Sequence, residues 1–546
     1  MSSRPAGGHP PINYRRRATA WAERARTAVS EEIAPQPLKG STLYRLVTGA
    51  DRECVAMSTV EISDLGDPMA RLLRQNIFPL TANALLERLD AAATVPRQAA
   101  FLISEAGQLS AEQAPSLQRD ARLAIIRGRS SEADLAISTG VALDSESEFL
   151  QVASWDDEAG QFNFYMRLSG TWVWAGNSYH ALTPPSRGNG CFDSHVNGSL
   201  VMKELKQPWM NWQSMNATIQ LADDDPLRNT SLYHSLSGAE DLENIVRAGV
   251  RRWTAARLKR AVSGDGRVMN AEWFLRQLCT TTTVNLASTT TASATAAQNP
   301  RAPLALPLGF WFNSDVLLNP PLEVPADFDI PVVSGRSYAG SLVKYDFALV
   351  QDDVRLAGDT FFAFAVPEAS YEDNDVVNQM VTSGLLTAHF AASILMVDFA
   401  NPIFSTARAK LLDYMKIDSA TIDPARGGLS QQVADAITQA AERKPSGSPE
   451  AEFTANWGLA ESDWRTAFAG RIESYIASVA RRLTTQEGFD DYVRLAESRR
   501  REFKRMRLHE FSLSLPVTNI LATEPLLHMQ PDGTVEPKPT ISSTAS

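Results

Sequence analysis

Cysteine is scarce in this chain: Cys54, Cys191 and Cys279 are the only three among 546 residues. An odd and small number gives no disulfide framework. Long apolar runs are missing as well. No stretch reaches the roughly 18 apolar residues of a membrane span, so no membrane contact is expected. Positive charge is in deficit, with 52 Lys and Arg against 63 Asp and Glu and a formal net charge of −11. That balance argues against broad contact with nucleic acid, which needs clustered basic residues. The runs Arg15-Arg16-Arg17 and Arg499-Arg500-Arg501 are short and read as solvated helix faces. Behind the first run stands Ala18-Thr19-Ala20-Trp21-Ala22-Glu23, which is not an apolar signal core; no export signal is visible and a cytoplasmic protein is expected. The patterns G-x-S-x-G, G-x-x-x-x-G-K-[ST], H-E-x-x-H and G-x-G-x-x-G do not occur, which removes the commonest hydrolase, P-loop, zincin and dinucleotide signatures.

What remains is a globular composition, 44% hydrophobic and 21% charged. The chain divides by composition into a disordered start (1–13), an N-terminal mixed region (14–148), a motif-bearing region (149–298), a mixed region (299–428), a helical C-terminal layer (429–529) and a polar, disordered tail (530–546). A helix is expected over 14–33, and spaced leucines predict one or two more over 67–94. Residues 96–150 show no single strong period. Phe149–Trp155, Gln161–Arg167 and Thr171–Gly176 predict three strands, the first two joined by an acidic turn. Amphipathic spacing predicts helices over 241–262, 270–278, 375–392, 429–443, 461–483 and 486–507. A strand running into a loose linker is expected over 280–298, and strands at 361–367, at Ser393–Phe399 and at Glu510–Pro516. Strands and helices do not alternate regularly, so the expected class is α+β, a β-rich, tryptophan-dense centre with a helical C-terminal layer.

The segment with chemical content is Cys191-Phe192-Asp193-Ser194-His195. It reads as a C-x-x-C-H haem-attachment motif with its second cysteine replaced by serine. It continues through Asn197-Gly198, Met202-Lys203-Glu204-Leu205 and Pro208-Trp209-Met210-Asn211-Trp212. This run, with the aromatic strands before it, resembles a family of bacterial cytochrome-c-like proteins. The resemblance covers about 60 residues, from 162 through Trp212. It implies a c-type haem with His195 as axial ligand. Ser194 departs from the pattern, because serine cannot form the thioether.

Three readings follow. In the first, the protein binds haem or once did, and acts in redox chemistry with a redox partner protein. His195 is then the proximal ligand, Cys191 lies beside the haem, and Trp172, Trp174, Trp209 and Trp212 wall it. The second axial ligand comes from Met202, Met215, His180, His234 or Met269. In the second, the chain is a non-catalytic scaffold or partner-binding protein in which the motif is a folding element. The plain alternatives support this: aromatics fill any core, and a histidine after a turn commonly holds that turn. In the third, a single zinc or iron ion sits on His180, Asp193 and His195 in a metal-dependent oxidoreductase. Haem calls for a flat apolar slot with His195 at its floor, and a scaffold for a His195 hydrogen-bonded into a filled core. Glu368, Glu372 and Asp373 read as carboxylates favouring a helix start. Asp398, inside an apolar run, reads as a paired structural group.

Overall fold

The structure is a computed structural model that describes residues 38, 40–92, 95–104, 121–129, 132–168, 170–202, 212–215, 218–219, 221, 223–262, 266–287, 301–351, 354–357, 366–416, 419–421, 428–505 and 516–539. The expected helix over 14–33 and most of the expected strands at 361–367 and 510–516 lie outside them. The class is α+β. The chain divides into two compact units: 1–104, 118–192 and 221–237 form the first, and 105–117, 193–220 and 238–546 the second. No described helix is long and apolar enough to cross a membrane.

The first unit is built on one eight-stranded sheet. Its strands are β1 (Tyr44–Arg45), β2 (Val55–Ala56), β3 (Arg97–Ser104), β4 (Ala121–Arg127), β5 (Leu135–Gly140), β6 (Leu150–Asp156), β7 (Gln161–Leu168) and β8 (Thr171–Asn177). From β3 to β8 it is an antiparallel meander, and β1 joins the far edge parallel to β8. The hairpins have local causes. Asp156 Oδ1 accepts from the N–H groups of Glu158 and Ala159 and turns the chain between β6 and β7. Gly170, at φ 82°, closes the two-residue link from β7 to β8, where a side chain would be strained. The sheet takes strands from both sides of residue 148, so the border expected between 148 and 149 is not one. The run 96–150 shows no single period because β3 and β4 carry consecutive buried positions, while the alternation of β5 is short.

The tryptophans of β8 are core. Trp172 is fully buried and its Nε1 donates to the carbonyl of Pro79 at 2.8 Å. Trp174 Nε1 donates to Asn163 Oδ1 at 3.0 Å. Asn163 Nδ2 and the Tyr165 hydroxyl then both donate to Asp67 Oδ2, at 2.9 and 2.7 Å. Asp67 Oδ1 caps helix α1 (Pro68–Arg74) by accepting from the N–H groups of Met69 and Ala70. One carboxylate with no exposed surface therefore ties a helix start to two positions of β7.

The second unit is mainly helical. Helix α2 (Ala239–Ala261) carries acids in its first turn and bases in its last, which suits its dipole. It and α3 (Glu272–Cys279) pack against α4 (Tyr371–Thr382). Arg247 of α2 lies over the Tyr371 ring at 4.2 Å and pairs with Asp375 at 3.6 Å. The four-residue strand Val284–Ala287 pairs antiparallel with Val366–Ala369, and its Val284 and Leu286 form a core with Ile403 and Phe503. Four helices close the layer: Gly428–Ala441, Pro449–Trp457, Trp464–Leu483 and Gln486–Arg505.

Three expectations change. Residues 393–399 are the end of helix Ala388–Leu395 and a turn, not a strand; a short apolar run fits a buried helix as well as a strand. Arg499 and Arg500 are not solvated. Arg499 donates to the carbonyls of Phe310 and Ala400, and burial lowers it to about 10; Arg500 pairs with Glu497 at 2.7 Å. Within the expected polar tail, Val535–Pro537 pairs with Leu527–Met529 as a hairpin.

Burial raises the Asp67 carboxyl above its ordinary range, and its hydrogen bonds to Tyr165, Ala70, Ser154 and Asn163 pull it back. The folded chain thus holds this proton to higher pH than the unfolded chain. The resulting stabilisation is full at acid pH and is lost as pH rises through the folded pKa. Asp67→Ala should cost about 3 kcal/mol or more, by orphaning Asn163, Tyr165 and two helix N–H groups. Asp67→Asn should remove the decline in stability that the parent shows when the pH is raised from about 4, the ordinary carboxylate value, to a neutral buffer. Urea unfolding followed by tryptophan fluorescence at both pH values checks the two expectations.

Candidate functional site

The motif lies where the chain passes from the first unit to the second: Cys191 and Phe192 belong to the first, Asp193 to His195 to the second. Its approach is a tight glycine loop. Gly188 and Gly190 have φ of 73° and 58°, and a Cβ on Gly190 would come within 2.5 Å of the Thr48 hydroxyl. Phe192 is buried edge-on against Phe164 at 5.5 Å, over the bare backbone of Gly176. Cys191, beside it, is half-buried.

Past the motif, His195 turns back on its own loop. Its Nδ1 donates to the carbonyl of Ser199 at 2.7 Å, and Gly198 N–H donates to the His195 carbonyl at 2.8 Å. Asn197 sits at the centre of this turn and reaches three helices. Its carbonyl accepts from Trp253 Nε1 of α2 at 2.8 Å. Its Oδ1 accepts from Gln277 Nε2 of α3 at 3.2 Å. Its Nδ2 donates to Asp373 Oδ1 of α4 at 2.9 Å and to the Thr282 hydroxyl at 3.1 Å. Thr282 in turn donates to Asp373 Oδ1 at 2.5 Å.

Asp373 does stand in the first turn of α4, where Ser370 caps its N–H at 3.3 Å. Its side chain does not serve the helix end. It turns inward and is 7% exposed. Burial pushes the carboxyl up to about 6, opposed by Thr282, reinforced by neighbouring Glu372 and opposed again by Asn197. Glu372 is buried as well.

Two small cavities lie beside this network, one lined by Glu372 and the other by Asp373. The first is lined by His195, Ser199, Thr254, Thr283 and Glu372 among others, and holds about 20 Å³ as counted by the centres of water molecules. The hydroxyls of Ser199, Thr254 and Thr283 are buried with no hydrogen-bond partner. The second is lined by Gln277, Thr283, Asn313, Asp373 and Arg408 among others, and holds about 30 Å³ on the same count. Each is room for one or two waters.

The expected haem and metal residues are distributed as follows. Trp172, Trp174 and His180 belong to the first unit. His180 Nδ1 bonds the Asn177 side chain at 2.9 Å in a helix-start capping box, and its ring meets Trp174 edge-on. Met202 and Trp212 are buried in the second unit, and Trp209 lies outside the described residues. Met215 and Met269 are 81% and 49% exposed, and His234 is also exposed. Among the described residues no three His, Cys, Asp or Glu side chains form a group that could hold a metal ion, so His180, Asp193 and His195 are not brought together as a triad. Haem needs a pocket of several hundred Å³ with mostly apolar walls. The space beside His195 that described residues enclose is far smaller and carries three buried hydroxyls, so the residues around it do not fit a macrocycle. Asp398 is a paired structural group, accepting from Asn401 at 2.7 Å and Ser405 at 2.5 Å.

Comparison with known protein families, with curated proteins and with solved structures finds no match to this chain.

The sequence reading missed the Asn197 clamp. Its one signal is the polar stretch Thr280–Thr283 directly after an apolar helix face, which supplies the hydroxyl and N–H groups that Asp373 accepts. Asn197→Ala should destabilise the second unit by about 2–4 kcal/mol, since it strips partners from Asp373 and Gln277. Asn189→Ala, in the glycine loop before the motif and with an exposed amide bonded to the Pro185 carbonyl, should stay within about 0.5 kcal/mol. Chemical denaturation of both variants checks this. Burial pushes the Cys279 thiol up to about 12. Cys279 should resist alkylation at about pH 8 until the chain unfolds, and mass spectrometry after timed labelling reads that out.

Proposed function

We propose that this chain is a former-haem protein of cytochrome-c-like type, in which the degenerate motif persists as a folding element of a non-catalytic scaffold or partner-binding protein. The observation that carries this reading is the Asn197 clamp. The loop after the motif spends its polar groups on α2, α3 and α4. Two features add support. Ser194 cannot make the second thioether, and the space beside His195 is small and polar.

One observation favours the other reading, in which His195 ligates a noncovalently held haem in a redox protein. The Ser199 carbonyl holds the ring proton on Nδ1, so Nε2 is the acceptor nitrogen, the form that a metal-bound histidine takes. A haem would then require the segment around His195 to rearrange.

Absorption spectroscopy of the purified protein, as isolated and after adding haem, separates the two. The scaffold reading expects no Soret band that depends on His195 in either condition. A band that appears with the parent and disappears with His195→Ala would overturn it. Ser194→Cys, expressed with haem-maturation machinery, should carry no covalent haem; a covalent adduct would mean that the site still accepts the cofactor.

A further inference from the structure

The second cavity beside Asp373 has walls that accept hydrogen bonds and offer little in return. Gln277 Oε1, Thr283 Oγ1 and Asn313 Oδ1 all belong to lining residues, are buried, and have no hydrogen-bond partner. The residues are 7%, 2% and 7% exposed. Buried polar atoms are almost always satisfied, so three orphans on one cavity need a cause.

The orientation of the Gln277 amide is not a free choice. Asn197 must present Nδ2 to the Asp373 carboxylate, which leaves its Oδ1 to accept from Gln277 Nε2. Turning the Gln277 amide over would set oxygen against oxygen. Its Oε1 is therefore held as the orphan acceptor. Asn313 stands at the N-cap of the four-residue helix Ser314–Leu317, where asparagine ordinarily accepts from the helix N–H groups. It makes no such bond. Asp373 completes the set with a carboxylate whose Oδ2 has only two long contacts, at 3.4 Å, from the N–H groups of Thr282 and Thr283.

A single water donates two hydrogens, fewer than the two amide oxygens and the carboxylate that can only accept, and a second water would have to share a space of about 30 Å³. A hard cation meets every oxygen at once, and all-oxygen sets suit alkali and alkaline-earth ions. Charge selects among them. The wall has one carboxylate besides neutral oxygens, too little for a divalent ion. Arg408, also on the wall, donates to the carbonyls of Val397, Asn401 and Pro402, and Asp398 offsets its charge. The free space of about 30 Å³ admits an ion and at most a water, and no organic ligand.

We propose that this cavity binds one monovalent alkali cation, sodium or potassium, through Gln277 Oε1, Thr283 Oγ1, Asn313 Oδ1 and the Asp373 carboxylate. The site is independent of the haem and scaffold readings.

The test is the melting temperature of the full chain in sodium, potassium or tetramethylammonium chloride at matched ionic strength. The expected result is a saturable rise with sodium or potassium that tetramethylammonium, too large to enter, does not reproduce. Asn313→Leu should raise the half-saturating concentration at least about tenfold. If that variant fails to fold, Asn313→Asp serves: an added carboxylate should lower the half-saturating concentration or give a response to calcium. Identical melting in all three salts would overturn the proposal and leave a water-filled cavity. So would a cation response that neither Asn313 variant changes.

Discussion

A single half-buried amide, that of Asn197, links the helices of the second unit. It gives its hydrogens to a carboxylate and a threonine on one side and receives one from a glutamine on the other, while its own main-chain carbonyl receives an indole N–H. Three helices that are distant in sequence are thereby matched to one loop residue. Each bond is worth only about 1 kcal/mol net. The set matters through what its loss would leave behind, a buried carboxylate and a buried amide without partners. A packed helical layer could form in several registers from apolar contacts alone, and a polar network that is satisfied in one arrangement selects among them.

The first unit uses the same device in another form. Asp67 accepts from a helix start and from two neighbouring strand positions, and Asn163 extends the network to Trp174. Of the tryptophans that could have walled a haem, Trp172 and Trp174 are instead part of the apolar body of this sheet, with their N–H groups already committed. The two halves of the motif belong to these two different systems. Phe192 is a core residue on the first unit's sheet, and the loop beyond His195 is the polar centre of the second. A stretch that reads as one chemical motif is, in structural terms, two anchors.

Much of the architecture is legible in the residues. The aromatic, alternating strands β6 to β8 and the long amphipathic helices announce themselves by period, and Gly170 marks its hairpin. Less legible were buried runs without a period. Residues 393–399 are apolar apart from Ser393 and Asp398, and such a run cannot tell a buried helix from a buried strand. Arg499 and Arg500 look like a solvated run because sequence shows charge but not the carbonyls and the carboxylate that receive it. The site was the least legible. His195 and Cys191 stand out because they match a motif, whereas Asn197, Gln277 and Thr282 have no chemistry that draws attention. Asp373 fits a helix start so well that its inward-facing role stays hidden. A local rule was obeyed there, and a long-range contact gave the same residue a second use.

The central claim is that the motif loop is held by, and holds, the helices through Asn197 and Asp373. A double-mutant cycle on unfolding free energy tests it directly, using Asn197→Ala, Asp373→Ala and the pair. The account predicts a coupling of about 1–3 kcal/mol, as for groups that share one buried network. Additive losses, with a coupling near zero, would contradict it and reduce the loop to a passive connection.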